Sequence, residues 1–127
     1  MTRITFLSLL YLIPIFTFAE DKVLHVDAKA AAELIQKSDV TILDVRSPEE
    51  FQEGHLKDAM NIDIMSKDFA AKLAELDKTK PLLVHCQAGG RSTRALPTLE
   101  KLGFTKVIHM DGGFRDWVKM GGSVVKP

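Results

Sequence analysis

Short apolar runs alternate with segments carrying helix-start signals along this chain, and that alternation leaves few folds open. Val23 to Val26 is a β-type run ending at Asp27, which is well suited to cap an amphipathic helix over Ala28 to Lys37. Val40 to Val45 is nearly all apolar and leads into Ser47-Pro48-Glu49-Glu50. There Ser47 can cap, Pro48 suits a first helical position, Glu50 closes a capping box, and Gly54 stops the helix. Ala59 to Ile62 reads as a further strand. Ser66 to Leu76 reads as a helix with Phe69, Leu73 and Leu76 on one face. Leu82 to His85 is the next strand, followed by a loop and a helix from about Ser92 to Leu102 that ends at Gly103. Lys106 to Met110 is the last strand, and Asp111-Gly112-Gly113 turns the chain into a final helical turn carrying Trp117. Strands and helices at this spacing predict one α/β domain with a mostly parallel sheet and helices on both faces. Pro97 falls inside the helix expected after the loop, where it removes a backbone hydrogen bond, and no function is assigned to it.

Ligands of such sheets bind beyond the carboxyl ends of the strands, and that is where the only cysteine lies. Cys86 follows Leu82-Leu83-Val84-His85 and precedes Gln87-Ala88-Gly89-Gly90-Arg91-Ser92. A small, glycine-containing loop opening onto a helix turns backbone N–H groups toward an anion. In such surroundings a thiol pKa near ~8.5 can fall to roughly 3.5–7.5. The alternative, an inert buried cysteine at a strand end, fits poorly with the Gly-Gly-Arg-Ser that follows.

The N-terminus has a basic residue, Arg3, an apolar stretch from Ile4 to Phe18, and Ala19 after Thr17-Phe18. This pattern predicts a secretory signal peptide over residues 1–19, a mature domain over residues 20–127, and a periplasmic location. A permanent membrane anchor is disfavoured, because the run is shorter than the ~20 residues a bilayer requires and Pro14 interrupts it. No cysteine follows the stretch to take a lipid. The chain has 17 basic and 17 acidic residues, and losing Arg3 with the signal leaves a net charge of −1. Nothing in that balance recruits nucleic acid or holds the mature domain on an anionic membrane. Exported proteins normally pair their cysteines. A single thiol in that compartment reads as a reactive group.

Several separated motifs together resemble the single-domain rhodaneses, the thiosulfate sulfurtransferases, in an exported bacterial form. They are Asp44-Val45-Arg46, Glu50-Phe51, Gly54-His55-Leu56, Ala59 with Asn61-Ile62, the loop Cys86 to Ser92, and Asp111-Gly112-Gly113-Phe114 with Trp117. The resemblance spans about residues 23 to 122 and implies a five-stranded, mostly parallel, rhodanese-like sheet. It also implies that Cys86 cycles between thiolate and persulfide. The thiolate would take the sulfane sulfur of thiosulfate, release sulfite, and pass the sulfur to cyanide or a thiol, with a thiol protein as a further candidate acceptor. The N–H groups of Gln87, Ala88, Gly89, Gly90, Arg91 and Ser92 would hold the anion, and no cofactor is needed. Four dispersed histidines without ligand spacing predict no metal site.

Other residues are read with alternatives open. Arg91 either binds the donor's sulfonate oxygens or is an exposed or acid-paired arginine, with Glu50 a candidate partner. Ser92 is foremost a helix cap whose hydroxyl also reaches the sulfur. Asp44 and Arg46 are expected to tie down the neighbouring loop. His55 and His85 are expected to be hydrogen-bonded structural histidines, and His25 and His109 ordinary, partly exposed strand residues. Trp117 and Phe114 are expected in the core. Two-domain rhodaneses carry extra basic residues where this chain has Ala88 and Glu50, which implies weak thiosulfate binding. The loop also differs from the Cys-Gly-Ser/Thr-Gly type of mercaptopyruvate sulfurtransferases. The competing functions are a persulfide carrier serving one protein partner and a cell-cycle-type phosphatase. The second is disfavoured, because those enzymes place five residues between cysteine and arginine where Gln87 to Gly90 supplies four.

Overall fold

A computed structural model describes residues 23–127, and the expected signal over residues 1–19 lies outside them. The strands are β1 (Leu24–Val26), β2 (Thr41–Asp44), β3 (Met60–Asn61), β4 (Leu82–His85) and β5 (Val107–Met110). They form one sheet in the order β1-β5-β4-β2-β3, and every pairing is parallel. β4 is therefore the central strand, and its carboxyl end delivers Cys86 to the middle of the sheet's upper edge.

Five helices connect and cover the strands: α1 (Ala28–Lys37), α2 (Pro48–Glu53), α3 (Phe69–Ala74), α4 (Gly90–Lys101) and α5 (Gly113–Lys119). Local chemistry sets the ends of the first two. The Asp27 side chain accepts from the Ala30 N–H, and Ser47 with Glu50 forms a complete capping box around Pro48. α3 is shorter than the expected Ser66 to Leu76, because Asp68 gives no side-chain cap and the flanking residues form turns. α4 starts at Gly90, two residues before the expected position, so Gly89 and not Ser92 stands at the cap, and Ser92 lies in the first turn with its hydroxyl turned to the Cys86 loop. Pro97 thus sits in mid-helix with no N–H to offer the Thr93 carbonyl, and it is exposed.

The two faces of the sheet bury separate clusters. Leu43, Val45, Leu82, Val84, Cys86 and Val107 pack with α3 and α4 residues such as Leu73, Ala95 and Leu99. Ile42, Leu83, Ile108 and Met110 pack on the other face with Ala28, Ala31, Leu56 and Trp117. Odd and even strand positions divide cleanly between the clusters, as the two-residue period of a strand demands. Cys86 thereby belongs to the α4 face, as does His109, whose Cα pairs with Val84 on one side and with His25 on the other.

Candidate active site

Cys86 is held through the first two carbonyls of its loop. Phe114 N–H donates to the Cys86 carbonyl (2.8 Å), and Arg115 N–H donates to the Gln87 carbonyl (2.9 Å). The start of α5 thus occupies the loop's outward carbonyls. Gly113 makes this approach possible: its φ is +62°, and a Cβ there would stand 2.7 Å from the Cys86 carbonyl oxygen. Gly89 has φ +106°, and a Cβ would come within 2.3 Å of the Asp111 carbonyl oxygen, so this position also excludes a side chain. That turn aims the Gly89 N–H at the Cys86 Sγ (3.1 Å), while the Ser92 hydroxyl lies 3.3 Å from the same sulfur.

The balance of forces on the thiol follows from these contacts. Burial pushes the Cys86 pKa up, but the Ser92 hydroxyl and the backbone N–H groups of Ser92, Ala88 and Gly89 outweigh it and bring it below the ordinary thiol value. The expected donors Ala88, Gly89 and Ser92 therefore converge on the sulfur. The Gln87 side chain points to Arg46 Nη1 (3.5 Å) instead, and Gly90 begins α4 with an exposed surface. Cys86 itself has no exposed surface, although Gln87, Ala88 and Gly90 around it are exposed.

Arg91 is paired with an acid. Its Nη1 and Nη2 donate to Glu50 Oε1 (2.6 Å) and Oε2 (2.9 Å), a bidentate fork across the site between α4 and α2. The hydrogen bonds from Arg91 pull the Glu50 carboxyl down to about 2, and Glu50 in turn raises the arginine's pKa. Beside this pair is a cleft of about 520 Å³ lined by Arg46, Glu50, Glu53, Gln87, Phe114 and Lys126. An apolar cleft of about 400 Å³ beside Trp117 and Ile35 lies on the opposite face of the sheet from Cys86.

A family model described as a rhodanese-like domain matches residues 27–120, a span that contains the Cys86 loop and the α5 helix that holds it. The chain belongs to the rhodanese-like domain family. It is 35% identical over 97 residues to a thiosulfate sulfurtransferase, GlpE, of Vibrio cholerae, covering 76% of this chain and 90% of that one. It is 36% identical over 96 residues to a tRNA uridine(34) hydroxylase of Pelagibacter ubique, covering 75% of this chain. The chain spans only 32% of that relative and 56% of another. Among solved structures, a rhodanese-related protein of Thermoplasma volcanium superposes with a TM-score of 0.73 at 31% identity, over 82% of this chain and 99% of that one.

Within this rhodanese-like domain Asp44 and Arg46 form a fully buried ion pair. Arg46 Nε and Nη2 grip the Asp44 carboxylate, Nη2 also reaches the Gly54 carbonyl (2.7 Å), and the guanidinium stacks 4.2 Å above the Phe114 ring. With Asp44 fixing the guanidinium, Arg46 ties the end of β2 to α2, α5 and the Gln87 side chain, which is the loop-holding role expected of the pair. His55 Nδ1–H donates to the Phe51 carbonyl (2.9 Å), and His85 Nδ1–H donates to the Cys86 carbonyl (2.9 Å), so both make structural contacts as expected. Burial holds the His85 imidazole below its ordinary pKa against the pull of Asp44. Its Nε2 has no hydrogen-bond partner among the described residues and lies 3.7 Å from Asp44 Oδ2. Trp117 is buried as expected and donates to the Ser123 carbonyl, while Phe114 is only partly buried, covering Arg46.

The expectation for His109 fails. It is 2% exposed, its Nε2 lies 2.7 Å from the Ser92 Oγ, and its Nδ1–H donates to Asp111 Oδ1. His25 also donates to that carboxylate oxygen, at 2.6 Å, and is half exposed. These two hydrogen bonds hold the Asp111 carboxyl below its usual range although partial burial opposes them. Ligand atoms of His25, His109 and Asp111 lie within 4.8 Å of one another. Nitrogen and oxygen ligands around a tetrahedral metal with bonds of about 2.0–2.1 Å stand about 3.3 Å apart. At 2.6 and 2.5 Å the two histidines instead each hydrogen-bond the Asp111 carboxylate.

Proposed function

We propose that the protein is a sulfurtransferase that moves sulfane sulfur from thiosulfate to a thiophilic acceptor, cyanide or a thiol, through a persulfide on Cys86. The observation that carries the reading is the pair of donors on one sulfur, Gly89 N–H at 3.1 Å and Ser92 Oγ at 3.3 Å, in a loop whose Cys86 and Gln87 carbonyls are taken up by α5. Membership of a family with relatives named as sulfurtransferases supports sulfur transfer as the general chemistry.

The Cys86 thiolate attacks the outer sulfur of thiosulfate. A new S–S bond forms, the donor's S–S bond breaks with its electron pair leaving on sulfite, and the enzyme retains Cys–S–S⁻. The same donors that lower the thiol's pKa then face the terminal sulfur anion, which lies one bond further into the loop. An acceptor nucleophile attacks that terminal sulfur and returns Cys86 as thiolate. Because the sulfur has no exposed surface, a donor reaches it only as the loop moves aside. We also infer that residues 1–19 direct export, so that residues 20–127 work in the periplasm on small-molecule donors and acceptors.

A specific observation favours a persulfide carrier with a dedicated protein partner as the second reading. Arg91 is committed to Glu50 and Arg46 to Asp44, Glu53 offsets Lys126 in the cleft, and Val118, Val124 and Val125 leave exposed apolar surface at and beside it. A dianion finds little attraction there, whereas a protein surface finds contact area.

Intact mass after thiosulfate and then cyanide tests both. A gain of about 32 Da, one sulfur, that cyanide removes as thiocyanate is the expected result. Cys86→Ser should show neither gain nor turnover while keeping its fold, and transfer by a folded Cys86→Ser protein would refute the mechanism. A sulfur adduct inert to cyanide would instead favour the carrier.

A further inference from the structure

Cys86 has no exposed surface, so its proton has no direct contact with bulk water. What it has is a chain of side chains. Ser92 Oγ lies 3.3 Å from Sγ, His109 Nε2 lies 2.7 Å from Ser92 Oγ, and His109 Nδ1–H donates to Asp111 Oδ1, which also receives His25 Nδ1–H. Ser92 and His109 are buried, whereas Asp111 and His25 are 56% and 52% exposed. The chain runs from the sulfur to solvent.

Counting protons restricts how it can work. Ser92 has a single hydroxyl proton and three acceptors around it: the sulfur, His109 Nε2, and the Gly89 carbonyl at 3.2 Å. A carboxylate only accepts, so Asp111 keeps a proton on His109 Nδ1. In a neutral His109, Nε2 then bears a lone pair and takes the Ser92 proton, leaving Ser92 unable to donate to sulfur. Ser92 can donate to a thiolate while touching His109 only when Nε2 is itself protonated.

We propose that His109 receives the Cys86 proton through the Ser92 hydroxyl, so that the thiolate forms as the partner of an imidazolium two hydrogen bonds away. The S–H bond breaks with its electron pair staying on sulfur, and that proton forms a new O–H bond on Ser92. The original Ser92 proton leaves its oxygen and forms the Nε2–H bond of His109. No atom is gained or lost. Asp111 supports the resulting cation from the solvent side, as a carboxylate hydrogen-bonded to Nδ1–H orients and supports a histidine in a triad. His109 acts through Ser92 and is a positioning residue. The inference rests on Cys86 as the reacting group, but it concerns how the thiolate forms and not where its sulfur comes from.

The titratable and charged groups around this pair are His25 on β1, Arg91 on α4 and Asp111 beyond β5, with Asp44 at the end of β2, Arg46 just after it and His85 on β4 near enough for charge coupling from the other face of the sheet. None of these hydrogen-bonds Ser92; His109 does. Alkylation of Cys86 by iodoacetamide, followed by intact mass across pH, reads the thiolate directly and involves no sulfur donor.

His109→Gln should move the alkylation midpoint up by a unit or more, which is about tenfold slower reaction at neutral pH. Ser92→Ala should move it likewise, the double variant no further than either alone, and Ser92→Thr should restore the native profile. A native midpoint in folded His109→Gln, beside a shifted one in Ser92→Ala, would reduce Ser92 to a plain donor and overturn the proposal. If His109→Gln does not fold, Asp111→Asn at the exposed end decides. It removes the charge supporting the imidazolium and should raise the midpoint, and an unchanged profile would be equally fatal. A native relay in a protein that takes no sulfur from thiosulfate would refute the sulfurtransferase reading alone.

Discussion

Glu50 holds two positions at once, and Glu50→Gln separates them. Its carboxylate receives the Arg91 fork at 2.6 and 2.9 Å, and the same side chain closes the capping box of α2 by accepting from Ser47 N–H and Oγ. Glutamine at that third helical position preserves the cap, since its amide oxygen accepts as the carboxylate does. What it removes is the charge opposite Arg91. The fall of the Glu50 pKa from 4.5 to about 2 sets a ceiling of about 3.4 kcal/mol at ~1.36 kcal/mol per unit. The two side chains are 26% and 32% exposed, and solvent screening of such a pair reduces the value to about 1 kcal/mol. Because the folded pKa lies below the unfolded one, this contribution is fully present above about 4.5 and is lost as pH falls toward about 2. Urea unfolding should therefore show Glu50→Gln less stable than the parent by about 1 kcal/mol at pH 7, with the gap closing toward pH 2. The functional consequence runs the other way. Arg91 is released to a dianionic donor, and one charge-assisted hydrogen bond, discounted for the cost of fixing a partly exposed side chain, is worth about 1 kcal/mol, or a KM for thiosulfate about fivefold lower. Initial-rate kinetics of thiocyanate formation would measure it. An unchanged or higher KM in a folded Glu50→Gln protein would show that Arg91 does not meet the donor, and would leave it a strut between α4 and α2.

Two further outcomes follow from the buried charges. Arg46→Ala leaves Asp44 buried without its cation and should cost about 3–5 kcal/mol in urea unfolding; a loss under 1 kcal/mol would mean that water reaches Asp44 in the variant. His85 is held neutral by burial with a folded pKa below its unfolded value, so the unfolded chain binds the proton that the folded one refuses. Stability should accordingly fall as pH drops below about 6.5, and His85→Gln should flatten that part of the profile. A slope unaltered by the substitution would assign it to another histidine.

The features legible in the sequence were those whose partners lie within a few residues of each other. Asp27 caps Ala30, Ser47 boxes with Glu50, and the Cys86 loop presents its donors in one consecutive run, so spacing alone locates them. The Arg91–Glu50 fork joins residues 41 apart, which residue chemistry can nominate but only the fold can bring together. His109 escaped for a different reason. All four residues of β5 are buried, so the alternation that normally tells which face a strand residue occupies is absent, and a histidine there reads as an unremarkable strand residue. Only the fold supplies what the strand pattern lacks. The strand that ends at Asp111-Gly112-Gly113 turns beside the Cys86 loop, as the Phe114 and Arg115 contacts with Cys86 and Gln87 require. In a parallel sheet that makes it a neighbour of the cysteine's own strand. Residues at 107 and 109 then share the face on which Val84 and Cys86 lie, with the helix after the loop above them. A polar residue at position 109 has to meet the first turn of that helix, and Ser92 is the residue that the turn offers.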